Sequence, residues 1–286
     1  MWLVFAFSSA IFAGLTAILT KIGIKNTDSN VATAIRTVVV LFFSWIMVFA
    51  VGSQNTIVTI DPKTLLFLIL SGIATGASWL CYFKALQMGD VNKVTPIDKS
   101  STILTMLMAF ILLGEEFTII KISGMIMIGI GTYLMIQKKE KSKLEKKNTI
   151  WFFYAIGSAV FASFTAILGK IGMEGVNSTL GTAIRTIVVL IMAWIVVFVT
   201  KKQNTIKNID KKSWLFLLLS GFATGGSWLC YYRALQTGQA SVVVPIDKLS
   251  ILVTILFSCL FLKEKLSKNA AIGLAFIVIG TISLLI

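Results

Sequence analysis

Of the 286 residues, 57% are hydrophobic and only 13% charged, with a mean hydropathy of +0.90. A soluble domain of this size needs roughly a quarter of its residues charged to coat its surface, so the composition excludes an ordinary soluble enzyme and calls for lipid around the chain. The formal charge of +14 does not imply nucleic acid, because much of it lies in short loops, where basic residues set orientation and meet anionic headgroups.

In chain order, apolar spans fall at about Leu3–Gly23, Val31–Val51, Leu65–Leu86, Val91–Leu113 and Ile119–Ile136. A hydrocarbon core about 30 Å thick takes about 20 apolar residues per helix, and only helices let each span satisfy its own backbone in lipid. Met1 runs straight into the first span without a charged leader, so no separate signal peptide is expected. The hydrophilic segment Lys138–Lys147 follows, and the same five spans then return. Phe12–Phe49 and Phe161–Phe198 align without a gap, and Ser71–Gly89 matches Ser220–Gly238. Lys21 and Lys170, Arg36 and Arg185, and Lys99 and Lys248 all stand 149 residues apart. A register held over most of the chain means duplication. The expected organisation is a first five-helix repeat at 1–137, a basic linker at 138–149 and a second repeat at 150–286. The expected fold is an all-α polytopic membrane bundle of ten transmembrane helices.

An odd number of spans per copy puts the copies in opposite orientations. Lysines concentrate on the linker's side (Lys25, Lys84, Lys93, the linker and Lys201–Lys212), with Lys63, Lys121 and Arg233 opposite. By the positive-inside rule the linker is cytoplasmic and both termini face outward, in a multi-pass protein of the cell's inner (plasma) membrane. Two inverted halves can exchange conformations and open a shared cavity to each side in turn; the plainer alternative is that duplication only builds a stable bundle.

Ionisable residues inside spans mark function by default. Lys21, Arg36 and Lys99 recur as Lys170, Arg185 and Lys248, and Asp98 recurs as Asp247. Six cations against two carboxylates favour an anionic or zwitterionic solute. Lys21 and Arg36, near span ends, can face a cavity or snorkel to the headgroups. Asp98 and Asp247 orient the lysines or carry coupling protons; the blander reading, Asp98 beside a helix start at Thr95-Pro96, is opposed by the second copy, where Val244 cannot cap. Pro96 and Pro245 inside the fourth spans free the carbonyls of Asn92 and Ser241 and predict a kink. Trp79 and Trp228 line a cavity or mark an interfacial belt, and the belt is the assignment for Tyr82 and Tyr231. Gly72 and Gly76, repeated as Gly221 and Gly225, form small-residue stripes for close helix packing. Glu115 and Glu264 close the fourth spans and are assigned to solvated loops. Cys81, Cys230 and Cys259 lie within apolar spans without a CxxC pairing, and the chain has no His, so neither a metal nor any other cofactor is expected.

The pattern of Lys21 and Lys170, followed by Arg36 and Arg185, resembles the EamA-type proteins of the drug/metabolite transporter superfamily, which have two five-helix repeats. The Ala-Leu near the end of the third span, the fourth span closing on Leu112–Glu116 or Phe261–Lys265, and the Pro-Ile-Asp-Lys of the fourth span complete the resemblance, which covers both copies. It implies a transporter of small metabolites. Small multidrug exporters of that superfamily carry an acidic residue in the first span; neither first span here has Asp or Glu, which argues against cation–proton antiport of drugs. The resulting expectation is a secondary transporter, not an enzyme, whose partners are a small-molecule metabolite and membrane lipid rather than nucleic acid, with homodimerisation left open. The rival reading is a non-transporting scaffold or accessory subunit of a lipid-modifying complex.

Overall fold

A computed structural model of the chain describes residues 1–23, 27–88, 94, 97–135, 150–261 and 267–285, with the side chains of all of these except 21, 83, 86, 87 and 258–261. The helices are α1 (Trp2–Gly23), α2 (Ser29–Val51), α3 (Pro62–Met88), α4 (Ser101–Leu112), α5 (Ile119–Met135), α6 (Ile150–Met173), α7 (Ser178–Val199), α8 (Lys211–Thr237), α9 (Ala240–Lys248), α10 (Ser250–Phe261) and α11 (Lys268–Ser283). Short 3-10 turns at Ser53–Thr59 and Gln203–Asn208 follow α2 and α7. Among the described residues there are seven stretches long and apolar enough to cross a membrane, and Ile119–Met135 and Lys268–Ser283 are shorter apolar helices. The linker lies outside the described residues.

Local chemistry sets the helix ends. Asp28 begins α2 by accepting from the amides of Asn30 and Val31 at 2.9 and 3.3 Å, and Gly52 ends it in the left-handed region at φ 72°. Asn177 caps α7, and Ser267 caps α11. Asp210 caps α8, and the Ser213 hydroxyl and amide hold its carboxyl below the ordinary range.

The bundle buries many hydroxyls among its apolar core residues and turns large apolar side chains outward. Ser9, Ser71, Thr75, Ser158, Thr182, Ser220 and Thr224 are buried, whereas Phe42, Phe49, Ile111, Phe153, Ile191 and Phe198 are exposed. A soluble protein would not expose so many large apolar side chains; lipid permits it, because an outward Phe or Ile loses nothing to hydrocarbon. Each buried hydroxyl still needs a partner, and many find one a turn back, as Thr75 donates to the Ser71 carbonyl at 3.0 Å and Thr224 to Ser220 at 2.6 Å.

Contacts between the halves are reciprocal. Helix α1 packs on α8 as α6 packs on α3, and α2 packs on α7 and α8 as α7 packs on α2 and α3. The small-residue stripes behave as expected. A Cβ at Gly72 would stand 2.7 Å from Val188 Cβ on α7, and one at Gly221 would stand 2.6 Å from Val39 Cβ on α2. Helices α5 and α11 pack on each other with their chains running in opposite directions: a Cβ on Gly124 would meet the Gly280 carbonyl at 2.7 Å, and one on Gly131 the Gly273 carbonyl at 2.5 Å.

The fourth span of the second half is interrupted, but not at its proline. Pro245 lies buried within α9, and the break falls at Leu249, which donates to the Ile246 carbonyl at 2.9 Å and accepts from the Leu252 amide at 2.8 Å. The corresponding break in the first half is at Ser100, whose amide and hydroxyl both turn back to the Ile97 carbonyl at 3.2 and 2.6 Å. Pro96 lies outside the described residues. Both breaks follow the Asp-Lys pair directly, so the span turns one step after its charged residues.

The glycine contacts of α5 and α11 give a test of this packing. Gly131→Ala places a methyl against backbone, which cannot yield, and overpacking of this kind costs about 1–3 kcal/mol. Gly129→Ala meets only the flexible side chain of Ile103, with Cδ1 at 2.8 Å. Thermal unfolding in detergent should therefore show a clear fall in Tm for the first variant and little change for the second; equal effects would refute the close approach.

Candidate functional site

A cavity of about 390 Å³ lies between the halves. Its walls take matched residues from both copies: Thr16 and Thr165, Arg36 and Arg185, Thr75 and Thr224, Trp79 and Trp228. Asp247, Lys248, Tyr231 and Tyr232 complete one side, and Ser101, Thr102 and Thr105 at the start of α4 complete the other.

Arg185 is only 2% exposed. Its Nε donates to Ser71 Oγ at 2.9 Å and its Nη2 to Thr75 Oγ1 at 2.5 Å, both on α3. Its guanidinium lies over Trp228 and Tyr232, 5.4 and 4.7 Å from the ring centroids, so both indole and phenol faces meet the cation. Arg36 is held less completely. Its Nη2 donates to Thr224 Oγ1 at 3.1 Å, but Ser220, the counterpart of Ser71, gives its hydroxyl proton to the Leu217 carbonyl instead. Arg36 Nε and Arg185 Nη1 are buried without a hydrogen-bond partner, and among the described residues neither guanidinium has a carboxylate within 4.0 Å. Hydroxyls and aromatic faces thus take the place of counterions.

The two aspartates form a matched pair of serine chains. Ser158 Oγ donates to Asp98 Oδ1 at 2.7 Å, and Ser9 Oγ to Asp247 Oδ1 at 2.6 Å. Ser78 backs the first by donating to the Ser158 carbonyl at 3.0 Å, and Ser227 backs the second by donating to that of Ser9 at 3.2 Å. Asp98 and Asp247 are thereby anchored to α6 and α1 of the opposite copy. Lys248 lines the cavity, and Lys99 lies within electrostatic reach of Lys248 and Asp98. Both lysine side chains are solvent-accessible.

Of the residues singled out in the sequence, Arg36, Arg185, Trp79, Trp228, Asp247 and Lys248 therefore meet at one cavity. Tyr231 joins them on the lining, which corrects its assignment to an interfacial belt. Tyr82 packs instead against an apolar cluster with Ala85, Val94 and Ala155. The side chain of Lys21 and residue Pro96 lie outside the described residues.

Lys170 points elsewhere, and it exposes a second correction. Glu115 is not solvated: its side chain is 6% exposed and lies 3.5 Å from Lys170 Nζ. It also accepts from the amides of Ala240 and Ser241 at 2.6 and 2.9 Å and from the Ser241 hydroxyl at 2.5 Å, so it caps α9 from the opposite half. Lys170 Nζ donates in addition to the Gly238 carbonyl. Alongside, Lys121, 8% exposed, donates to Gln239 Oε1 at 2.7 Å and to the Glu116 carbonyl at 3.2 Å. The result is a charged latch tying the α4–α5 loop, the end of α6 and the α8–α9 turn together at one end of the bundle. Sequence reasoning placed Glu115 at water because it ends a span, and overlooked the serines because a hydroxyl in an apolar span is commonplace. The constant offset is the signal that could have found them: Ser9 and Ser158 stand 149 apart, like Glu115 and Glu264.

The latch makes a measurable coupling. Glu115→Gln and Lys170→Gln should each lower stability in detergent, and the double variant should lose less than the two together, with a coupling of about 0.5–3 kcal/mol. Strict additivity would mean that Glu115 acts as a helix cap alone.

Comparison with known proteins agrees with this architecture. The sequence matches the EamA-like transporter family twice, over residues 1–137 and 149–286. An uncharacterized transporter of a Sinorhizobium species is 46% identical over 134 residues, 47% of this chain and 95% of that protein, which is therefore about as long as one half. An uncharacterized transporter of Archaeoglobus fulgidus is 22% identical over 80% of this chain and 79% of its own length. Human solute carrier family 35 member G1 is 28% identical over 71% of this chain and 57% of its own. One solved crystal structure superimposes with a TM-score of 0.78 at 16% identity, covering 98% of this chain and 95% of its own, a likeness of fold. The duplicated sequence, the seven membrane-length apolar stretches and the two matched halves have one common meaning: the chain is a multi-pass membrane protein of the EamA-like transporter family.

Proposed function

We propose that the protein is a secondary transporter that carries a small anionic or zwitterionic metabolite across the plasma membrane by alternating access. In this reading ten spans form two oppositely oriented five-helix repeats, and the linker is cytoplasmic. The observation that carries it is the cavity whose lining includes Arg36 and Arg185, one from each half, both without a carboxylate partner among the described residues. Burying an uncompensated cation costs several kcal/mol, and a fold held together only for stability gains nothing from two of them. A solute that supplies the missing negative charge recovers that energy on binding.

Two further observations support the mechanism. Helices α5 and α11 occupy equivalent places in the duplicated sequence and pack with opposite chain directions, as an in-plane two-fold between repeats requires. The Glu115–Lys170 latch joins a loop and helix ends rather than helix centres. Its counterpart positions in the other copy, Lys21 and Glu264, are the same residue types, so exchange of the halves keeps the chemistry. The family and the names of its relatives describe transport rather than catalysis.

Purified protein in liposomes, screened by counterflow with labelled organic anions, zwitterions and cations, tests the proposal. An anion or zwitterion should exchange, and Arg36→Gln or Arg185→Gln should reduce exchange about tenfold or more, the loss of a hydrogen bond to a charged group, while the protein stays monodisperse. Exchange of organic cations alone would overturn the charge assignment. A folded protein that exchanges nothing would leave the scaffold reading in its place. Topology has its own check: in intact cells Lys143→Cys should be protected from an impermeant thiol reagent and a cysteine added after Ile286 should react, and the reverse pattern would invert the orientation.

A further inference from the structure

The charge inventory of the cavity narrows the solute further, given the reading of this cavity as the transported solute's site. Among the described residues its lining carries Arg36, Arg185 and Lys248 against the single carboxylate of Asp247, a surplus of two positive charges. Including the neighbouring Asp98 and Lys99 adds one charge of each sign and leaves that surplus unchanged. A zwitterion would leave both charges uncompensated and a monoanion would leave one. Among membrane-spanning helices each residual charge is expensive.

The surplus is also divided in space. Arg36 is fixed by Thr224 on α8, and Arg185 by Ser71 and Thr75 on α3. Each guanidinium keeps one buried nitrogen without a partner, Nε in Arg36 and Nη1 in Arg185. Two cationic poles held on different helices suit two separate anionic groups better than one doubly charged group. Carboxylates match guanidinium donors in charge and planar geometry. The cavity, about 390 Å³, lies near the small end of ordinary ligand sites, which restricts the chain between the two groups.

We infer that the solute is a compact dianion with two separated anionic groups, a short dicarboxylate in chemical class, bound with one group on Arg36 and the other on Arg185. The loaded cavity is then electrically neutral, and the empty one carries two positive charges.

Microcalorimetry on the purified protein tests this with three matched series at pH 7.5: dicarboxylates of three to six carbons, their monoamides, and the ω-amino acids of the same lengths. A fourth arm of phosphate monoesters separates paired anionic groups from a single doubly charged one. At least one dicarboxylate should bind about tenfold or more tighter than its monoamide, the worth of one charged hydrogen bond, and tighter than its amino acid. Arg185→Gln, and independently Arg36→Gln, should erase that preference, so that monoamide and diacid bind alike. Monoamides or amino acids binding as tightly as diacids to the wild-type protein would overturn the dianion while leaving transport standing, as would a preference for phosphate monoesters. Failure of all four series to bind, with exchange still measured in liposomes for some other solute, would also overturn it. Failure of both binding and exchange would remove the transport reading itself.

Discussion

The buried guanidinium of Arg185 is the constraint around which the rest of the bundle is arranged. A cation in this position must be met by hydrogen bonds or by a counter-charge, and the fold supplies hydroxyls and rings rather than a carboxylate. That solution requires α3 to come very close to α7. Gly72 makes the approach possible, since its Cα faces Val188 and the Arg185 carbonyl with no room for a side chain. The stripe of small residues therefore sets the spacing at which Ser71 and Thr75 reach the guanidinium. Gly221 does the same for Arg36, and there a rotated Ser220 leaves the second arginine with fewer bonds.

The same logic explains the buried hydroxyls around the cavity. Hydroxyls can bond to their own helix and still offer lone pairs inward, as Thr75 and Thr224 do when they donate to backbone and accept from arginine. A carboxylate in their place would neutralise the site permanently. Asp98 and Asp247, the two acidic residues of the fourth spans, are tied to Ser158 and Ser9, and the helix breaks at Ser100 and Leu249 come one residue after the lysines. The helix interruption thus accompanies the charged pair, and Pro245 sits a turn earlier within α9.

Much of the fold was legible in the chain. The long apolar helices, the repeat and the glycine stripes follow from hydropathy and from a 149-residue offset, because lipid demands such helices and duplication copies residue types in register. Part of the site was legible as well: Arg36, Arg185, Asp247 and Lys248 stood out as charges where charges are costly. Their partners were not, because serine and threonine cost little in an apolar span and carry no signal until a second helix is placed beside them.

What the sequence determined by itself was the solvent, the duplication and the identity of the unusual charges, all properties of one residue or of residues at fixed separation along the chain. Tertiary structure alone decided which charges share a cavity. Lys170 and Arg185 lie 15 positions apart on neighbouring helices, yet one locks Glu115 at the end of the bundle and the other lines its centre. Glu115, which ends a span and so reads as solvated, is buried because α9 from the opposite half brings its free amides to it. Contacts between segments more than a hundred residues apart depend on how helices cross, and helix crossing is set by the shapes of two surfaces at once, which no single stretch of sequence contains.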